Sequence, residues 1–321
     1  MMRKKIIFWL SVGVALVLLG CIIFFGALVA AKFDFSRFST VKHEKITHEI
    51  TESYTNISII SDTADVLLVQ TEDETGKVEC YEQENLRHNV SVKDGTLVVE
   101  VSDTRAWYEH IGIHFAEPKI TVFLPKGTYG SLTVKADTSD VDIPKGIAFE
   151  SVDIALSTGD ATCQASPTAS LKIKTTTGDI RVLGVTTTTL DLSTSTGEIE
   201  AQGVTCMGDA FIGVSTGDVE LDQFSCKSLS SSGDTGDISL KGVIVSQRLF
   251  VERDTGDVLL NACDAAEIVI ETSTGDVQGS LLSGKVFAVT TNAGSVRIPQ
   301  NSAGGRCEII TDTGDVEITV G

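Results

Sequence analysis

Residues 171–204 read LKIKTTTGDIRVLGVTTTTLDLSTSTGEIEAQGV, which is one pattern written twice at a step of 19 residues. In the first copy, Leu171 and Ile173 precede Thr-Gly-Asp, and Ile180 and Val182 follow it. Apolar residues at a spacing of two are typical of a strand with one buried face. Each copy therefore predicts two short strands joined by a turn at Thr-Gly-Asp or Thr-Gly-Glu.

The pattern continues on both sides of this stretch at steps of 19 or 20 residues, with weaker copies at 138–140 and 293–295. A unit of about 20 residues cannot bury its own apolar face, whereas a stack of such units can. The sequence predicts an all-β fold, a single-stranded β-solenoid (β-helix-like) of about ten 19–20-residue coils. A β-propeller, whose blades need about 40 residues, stays open as an alternative in which two units form one blade.

The N-terminus carries a different signal. Arg3, Lys4 and Lys5 precede an apolar run without charges from Ile6 to Ala31. Such a run, as a helix of roughly 39 Å, predicts one N-terminal transmembrane α-helix. The basic flank predicts a cytoplasmic N-terminus and an extracytoplasmic solenoid at the cell membrane. Leu18-Leu19-Gly20-Cys21 also resembles a lipobox, so an acyl anchor at Cys21 is the alternative.

The domain organisation follows from these two signals. We predict a membrane anchor at 1–31, a linker at 32–44, divergent N-terminal coils or a cap at 45–135, and the Thr-Gly-Asp repeat solenoid at 136–321. Residues 62–66 echo residues 137–141, which favours a divergent start of the same solenoid. Terminal repeats of a solenoid are ordinarily atypical because they shield the last apolar face.

The charge of the chain excludes one class of partner. The formal net charge is −19, and the only charges among the first 31 residues are three cations, so the rest carries −22. Phosphate backbones are bound by clusters of Lys and Arg, so we predict no nucleic-acid binding.

The Ser-Thr-Gly-Asp series follows the segment Pro118-Lys119-Ile120-Thr121-Val122-Phe123-Leu124-Pro125-Lys126-Gly127-Thr128-Tyr129. In these two features the chain resembles a bacterial adhesin-like family with β-strand repeats. The resemblance covers roughly residues 50 to 321. It implies a repeat fold but no catalytic residues, because the family is one of unknown function. Some members with a similar single helix are associated with cell-envelope stress systems.

One column of acidic residues is a candidate metal site. It occupies the position after each central glycine, and parallel stacking would place its members about 4.8 Å apart. Repulsion between carboxylates at that spacing is relieved by hydrogen bonds or by cations such as Ca²⁺. Bonding to amides in the turn is the favoured interpretation, and a cation ladder is the alternative. The column consists of Asp160, Asp179, Glu198, Asp218, Asp237, Asp257, Asp276 and Asp315.

The remaining polar positions give weaker expectations. Before the turns, the positions predicted to point outward hold Thr pairs: Thr175/Thr177, Thr194/Thr196, Thr272/Thr274 and Thr311/Thr313. Ordinary turn and strand propensity is the favoured interpretation of these pairs, and an ordered, ice-binding Thr array is the alternative. Cys206 and Cys226 share a phase in adjacent coils, which allows a disulfide as well as two buried thiols. His110 and His114 have a four-residue spacing, but they lie in an alternating segment that favours packing over metal ligation.

No catalytic residue and no cofactor site are predicted. The leading hypothesis is a non-catalytic, membrane-anchored adhesin-like or cell-envelope binding and sensing module, whose partner is a cell-wall polymer or a surface protein. The alternatives are a scaffold that self-associates through an exposed C-terminal edge at 316–320, and a carbohydrate-active β-helix enzyme.

Overall fold

The computed structural model describes residues 2–30, 43–83, 86–103, 118–300 and 303–321. Within these residues the chain forms one helix, α1 (Met2–Ala30), and 29 strands. The strands before the regular repeat are β1 (His43–Ile50), β2 (Asn56–Ser61), β3 (Asp65–Thr71), β4 (Gly76–Gln83), β5 (Leu86–Lys93), β6 (Thr96–Asp103) and β7 (Lys119–Pro125).

The regular coils contain β8 (Thr128–Thr138), β9 (Val141–Ile143), β10 (Ala148–Thr158), β11 (Ala161–Cys163), β12 (Ser170–Thr177), β13 (Ile180–Leu183), β14 (Thr186–Thr187), β15 (Thr189–Thr196), β16 (Ile199–Gln202), β17 (Thr205–Cys206), β18 (Asp209–Thr216), β19 (Val219–Asp222), β20 (Ser225–Cys226), β21 (Ser228–Thr235) and β22 (Ile238–Lys241). The last coils contain β23 (Ile244–Thr255), β24 (Val258–Thr274), β25 (Val277–Leu281), β26 (Lys285–Ala293), β27 (Val296–Arg297), β28 (Gly305–Thr313) and β29 (Val316–Val320).

The strands stack in parallel as a β-solenoid of about nine turns, where the sequence predicts about ten. We call the sheet before each Thr-Gly-Asp turn the front sheet, and the sheet after the turn the back sheet. The order in the front sheet is β6-β2-β8-β10-β12-β15-β18-β21-β23-β24-β28-β26. In the back sheet it is β7-β3-β9-β11-β13-β16-β19-β22-β24-β25-β29-β27. The short strands β14, β17 and β20 form a third side.

The core lies between these sides. Leu171 pairs with Leu190 and Ile180 with Ile199, and these side chains are at most 2% exposed. Burying each such aliphatic side chain contributes about 1.5–3 kcal/mol to stability. Because the register places like residues above like residues, the apolar positions form continuous ladders along the stack. This confirms the strand period that the sequence predicts.

The N-terminal end of the stack is covered by antiparallel strands. β4 pairs antiparallel with β7 at the end of the back sheet, and β1 pairs antiparallel with β4. β5 pairs antiparallel with β6 at the end of the front sheet. The first coil of the chain, β2 and β3, lies inside the stack, between β6 and β7 on one side and β8 and β9 on the other.

The C-terminal end also departs from chain order. β28 lies between β24 and β26, and β29 lies between β25 and β27. The edge predicted at Val316–Val320 is therefore only partly exposed, because β29 pairs with β25 along its whole length and with β27 at Val316 and Glu317. Within the described part of the chain, the edge strands at this end are β26 and β27. The sequence phase gives the face of each strand, but it does not give the order in which coils stack.

The helix α1 has exposed apolar side chains, including Trp9 and Ile22. Among the residues that the structure describes, no helix meets the combined length and hydropathy needed to cross a membrane. The structure therefore does not support the transmembrane helix predicted for 1–31. The predicted linker lies almost entirely outside the described residues.

Candidate binding face and the acidic ladder

The Thr-Gly-Asp turn requires glycine for two reasons. Gly256 has a φ of +148°, a conformation that side chains with a Cβ rarely adopt. A Cβ on Gly256 would also collide with the carbonyl oxygen of Gly236 in the neighbouring coil. Gly178 and Gly217 repeat both features. The repeated glycine therefore sets how closely consecutive turns approach each other.

The acidic column after these glycines forms a hydrogen-bond ladder between coils. The backbone N–H of Asp179 donates to Oδ1 of Asp160 at 2.8 Å, and the N–H of Asp257 donates to Oδ1 of Asp237 at 2.8 Å. The ladder joins successive coils, whereas the sequence predicts bonds within one turn. Its remaining described contacts are Asp140 to Asp65, Asp160 to Asp140, Glu198 to Asp179, Asp237 to Asp218, Asp276 to Asp257, Asp315 to Asp276 and Ser295 to Asp315, with the amide donor named first.

Glu198 is the exception in this ladder. Among the described contacts its carboxylate accepts no amide from the next coil, because its side chain is one methylene longer than Asp. Partial burial raises the pKa of Glu198, and the nearby charges of Asp179 and Asp218 raise it further. The ladder therefore contains one point where carboxylates repel one another without a compensating amide.

The amide bonds give seven of the eight predicted column carboxylates a structural role, with Glu198 as the exception. Arg181 adds a cation beside them, with Nη2 3.1 Å from Oδ2 of Asp179. In the described chain, the column does not bring three carboxylate oxygens within metal-binding distance of one another. The cation ladder at Asp160, Asp179, Glu198, Asp218, Asp237, Asp257, Asp276 and Asp315 stays a prediction.

The outward prediction for the Thr pairs is confirmed only for the second member of each pair, since Thr177, Thr196, Thr274 and Thr313 are exposed. Thr175, Thr194, Thr272 and Thr311 are at most 6% exposed and share the inward face with the apolar residues before them. The hydroxyl of Thr194 donates to the carbonyl oxygen of Gly178 at 3.0 Å. For these four residues the outward prediction is wrong, because a spacing of two from Leu190 and Leu192 places Thr194 on the buried side.

The front sheet carries a shallow depression in its middle coils. Phe211 and Phe250 flank Ser230, which is opposite both in the register of β18, β21 and β23. Strand spacing places the two rings about 10 Å apart. Gly213 and Ser232 lie beside this row. Because glycine has no side chain and serine has a small one, the surface between the rings stays shallow and open. We call these five residues the front-face depression.

The rim of the depression is charged. The Arg248 guanidinium carbon lies 5.2 Å from the centre of the Phe250 ring. Asp234, Glu252 and Asp254 line the opposite side. Such a surface offers aromatic faces, hydroxyl groups and negative charge to a ligand that lies along the sheet.

Arg253 lies buried behind this face. It is 1% exposed, and none of its guanidinium nitrogens has a hydrogen-bond partner among the described residues. Burial lowers the pKa of Arg253, and the charges of Asp234 and Asp218 oppose that shift. Its neighbour Gly233 has no side chain, and a Cβ there would collide with the guanidinium. Gly233 therefore makes room for the large side chain.

Comparison with family models agrees with this architecture. The model of the Toastrack DUF4097 family matches residues 54–241 and again residues 211–321. The chain belongs to the Toastrack DUF4097 family. The resemblance to a β-repeat family of unknown function is thereby confirmed.

Solved structures similar to this Toastrack chain include a "putative adhesin" from Bacteroides fragilis, at 15% identity and a TM-score of 0.43. That match covers 86% of this chain and 97% of the other. A "putative lipid binding protein" from Parabacteroides distasonis is 17% identical with a TM-score of 0.47, and covers the same shares. A search of the curated proteins gave no match for the Toastrack chain.

The cysteines of the Toastrack chain are free thiols, and all except Cys21 are buried. Cys206 donates to the carbonyl oxygen of Thr188 at 3.3 Å, so the structure contains no Cys206–Cys226 disulfide. Burial raises the pKa of Cys226 to about 12. His110 and His114 lie outside the described residues.

Sequence reasoning missed one cluster in the Toastrack chain. Cys80, Glu82 and His88 bring their sulfur, oxygen and nitrogen atoms within 4.8 Å of one another, and all three are buried. The signal available in the sequence is the spacing of two between Cys80 and Glu82 on an inward strand face. His88 joins them only because β4 and β5 are paired next to the cluster, at Gln83 and Leu86.

Proposed function

We propose that the solenoid is a non-catalytic binding module of the cell envelope, which holds an extended cell-wall polymer along its front sheet. The front-face depression is the observation that carries this proposal. Its two phenyl rings and its hydroxyl floor suit a polymer with alternating apolar faces and hydroxyl groups. Family membership supports the fold that presents this face.

The charges around the front-face depression limit the classes of ligand that can bind there. The three acids Asp234, Glu252 and Asp254 outnumber the two cations, Arg248 and Lys174, so the rim favours neutral or positively charged groups and opposes polyanions. We therefore propose a wall glycan or amino-bearing polymer as the ligand. A surface protein that binds the same face is the alternative outcome.

We further propose that residues 1–31 hold the solenoid outside the membrane. The cations at 3–5 and the uncharged run that follows support this placement. Membrane fractionation of cells expressing the full chain tests it, with metabolic acyl labelling of the Cys21→Ser variant as a second arm. Loss of acyl label with loss of membrane attachment would indicate lipidation, whereas unchanged attachment without label would favour a helical anchor. A chain found wholly outside the membrane fraction would contradict the proposal.

The binding proposal is tested by co-sedimentation of the full chain, purified in detergent, with purified cell walls. We expect saturable binding, and a loss of at least tenfold in affinity for the Phe211→Ala, Phe250→Ala double variant. Leu259→Ala is the matched control, because Leu259 is a large apolar side chain that is 49% exposed but lies in the back sheet. Equal binding by both variants, or no binding by the wild-type chain, would contradict a front-sheet site.

Calcium chelation adds an independent arm to the same assay. If the acidic ladder serves only as hydrogen-bond acceptors, wall binding is unchanged by the chelator. Binding that requires calcium and is weakened by Asp257→Asn would indicate a functional cation ladder.

A second candidate function is self-association through β26 and β27. Each is paired on one side only within the described chain, and Val286 and Val296 are 45% and 43% exposed. Unpaired edge strands with apolar side chains are templates for pairing with another chain. Light scattering against concentration tests this function. We expect Val296→Lys to suppress any oligomer, and a wild-type chain that is monomeric at all concentrations would exclude the function.

A further inference from the structure

The N-terminal end of the solenoid encloses a polar cluster that the binding face does not use. β4 continues the back sheet through β7, and β5 continues the front sheet through β6. The two strands are joined at Gln83 and Leu86 and then diverge. Cys80 and Glu82 of β4 therefore meet His88 of β5 in the space between the two sheets.

The three side chains are held tightly in this space. Cys80 is fully buried, and the side chains of Glu82 and His88 are each 2% exposed. Oε2 of Glu82 accepts the backbone N–H of His88 at 2.7 Å and lies 3.0 Å from its ring Nδ1. Nε2 of His88 is buried and has no hydrogen-bond partner among the residues that the structure describes. A buried imidazole nitrogen without a partner costs free energy unless something else satisfies it.

The composition of the cluster identifies the class of ligand. A thiol, an imidazole and a carboxylate are the three side-chain donors that bind Zn²⁺, whereas Ca²⁺ and Mg²⁺ prefer oxygen donors alone. Zinc–ligand bonds of about 2.0–2.3 Å place the donor atoms within about 4 Å of each other. The donor atoms here are within 4.8 Å, so small side-chain rotations close the site.

We propose that Cys80 Sγ, a carboxylate oxygen of Glu82 and a ring nitrogen of His88 form a site for one Zn²⁺ ion or a similar divalent transition metal. On binding, the Sγ–H bond of Cys80 breaks, the thiolate coordinates the metal and the proton passes to solvent. The fourth coordination position takes water. The metal links β4 to β5 and fixes the antiparallel cover on the end of the stack.

The alternative to a metal site is a buried Glu82–His88 pair in which the Cys80 thiol takes no part. Burial raises the pKa of Cys80 to about 12, with the charge of Glu82 as the second cause, so the unligated thiol is protonated at neutral pH. The two accounts therefore differ in one observable property. Only a metal site converts Cys80 to a thiolate in the folded protein at neutral pH.

Cobalt provides the test, because thiolate coordination to Co²⁺ gives a charge-transfer absorption band. The full chain, purified in detergent, is unfolded with a chelator and refolded with excess Co²⁺ or Zn²⁺. We expect one ion bound per chain, the thiolate band with Co²⁺, and a higher melting temperature with Zn²⁺. Cys80→Ser should abolish the band and weaken binding at least tenfold.

Cys163→Ser is the matched control, because Cys163 is also a fully buried thiol but lies in a regular coil. This variant should keep the band and the stoichiometry. His88→Asn provides a second variant if Cys80→Ser does not refold, and it should lose the melting-temperature shift with Zn²⁺. A folded wild-type chain that binds no stoichiometric metal, or a band that survives in Cys80→Ser, would overturn the proposal.

Discussion

The middle of the solenoid and its two ends are built by different rules. In the middle, each coil pairs with the coils before and after it in the chain, and the same turn hydrogen bond recurs along the ladder. At both ends, one coil is inserted out of chain order. Local repetition therefore determines the middle, whereas the path of the chain over the last coil determines each end.

The two ends also differ from each other. Antiparallel strands cover the N-terminal end and enclose Cys80, Glu82 and His88. The C-terminal end stops at β26 and β27, which pair on one side only within the described residues. A covered end can enclose a buried site between its strands. An end whose edge strands are paired on one side only favours contact with another molecule.

The largest effect is expected from removing the inserted strand. A chain that ends at Asp315 loses β29, in which Val316 and Ile318 are at most 3% exposed. Burial of two such side chains, with the pairing to β25 and the two-residue pairing to β27, predicts a loss of about 4 kcal/mol or more in unfolding free energy. Denaturant unfolding measures it. Val296→Ala, in the edge strand, is expected to cost less than about 1 kcal/mol, and equal losses would indicate that β29 is itself an edge.

A glycine pair compares the middle with the end directly. Gly256→Ala strains a positive φ and collides with Gly236, so we expect a loss of roughly 3 kcal/mol. Gly294→Ala collides with Gly314, but its coil has a neighbour on one side and can move outward. Its cost is expected to be clearly smaller by the same denaturant assay. A larger cost at Gly294 would contradict the assigned coil order.

The exception at Glu198 can be tested by exchanging Asp and Glu at two positions of the ladder in the middle coils. Glu198→Asp should restore an acceptor for the next amide and stabilise the chain by about 1 kcal/mol. Asp257→Glu should remove the acceptor that bonds Asp276 at 2.8 Å and destabilise the chain by a similar amount. Melting temperatures of the two variants test this, and shifts of the same sign would contradict the ladder's role.

The smallest effect is a pH dependence at Glu198. Because its folded pKa is raised above the ordinary 4.5, the folded state holds the proton more tightly than the unfolded state. The stabilising contribution of the protonated group is present below pH 4.5 and is lost as pH rises through the folded pKa. Glu198→Gln should therefore raise the melting temperature at pH 7 and have little effect at pH 3. A gain confined to pH 3 would contradict the raised pKa.

The sequence predicts the repeated parts of this molecule well because they depend on local geometry. The phases of Leu171, Leu190 and Ile180 determine the buried faces, and Gly178 marks the turn. The direction of Thr194 follows from the same period, but the expectation that hydroxyl side chains face water predicts the wrong face for it. Its buried bond to Gly178 satisfies the hydroxyl instead.

The remaining features depend on which coils become neighbours. The front-face depression needs Phe211, Ser230 and Phe250 in adjacent strands, which the period predicts only when the coil order is regular. The cluster of Cys80 and His88 depends on the divergence of two antiparallel strands, for which the repeat holds no signal. The inserted position of β29 is likewise a long-range property of the chain path.

Hydrogen exchange of the unmodified chain tests the order of the coils most directly. Amides of Val316 and Glu317 should be protected to the same degree as those of Val277 and Gln278, because these residues are paired on two sides. Amides of Val296–Arg297 should exchange earlier. If Val316 and Glu317 exchange first and Val296–Arg297 is protected, the inserted coil and the edge assigned to β26 and β27 are both wrong.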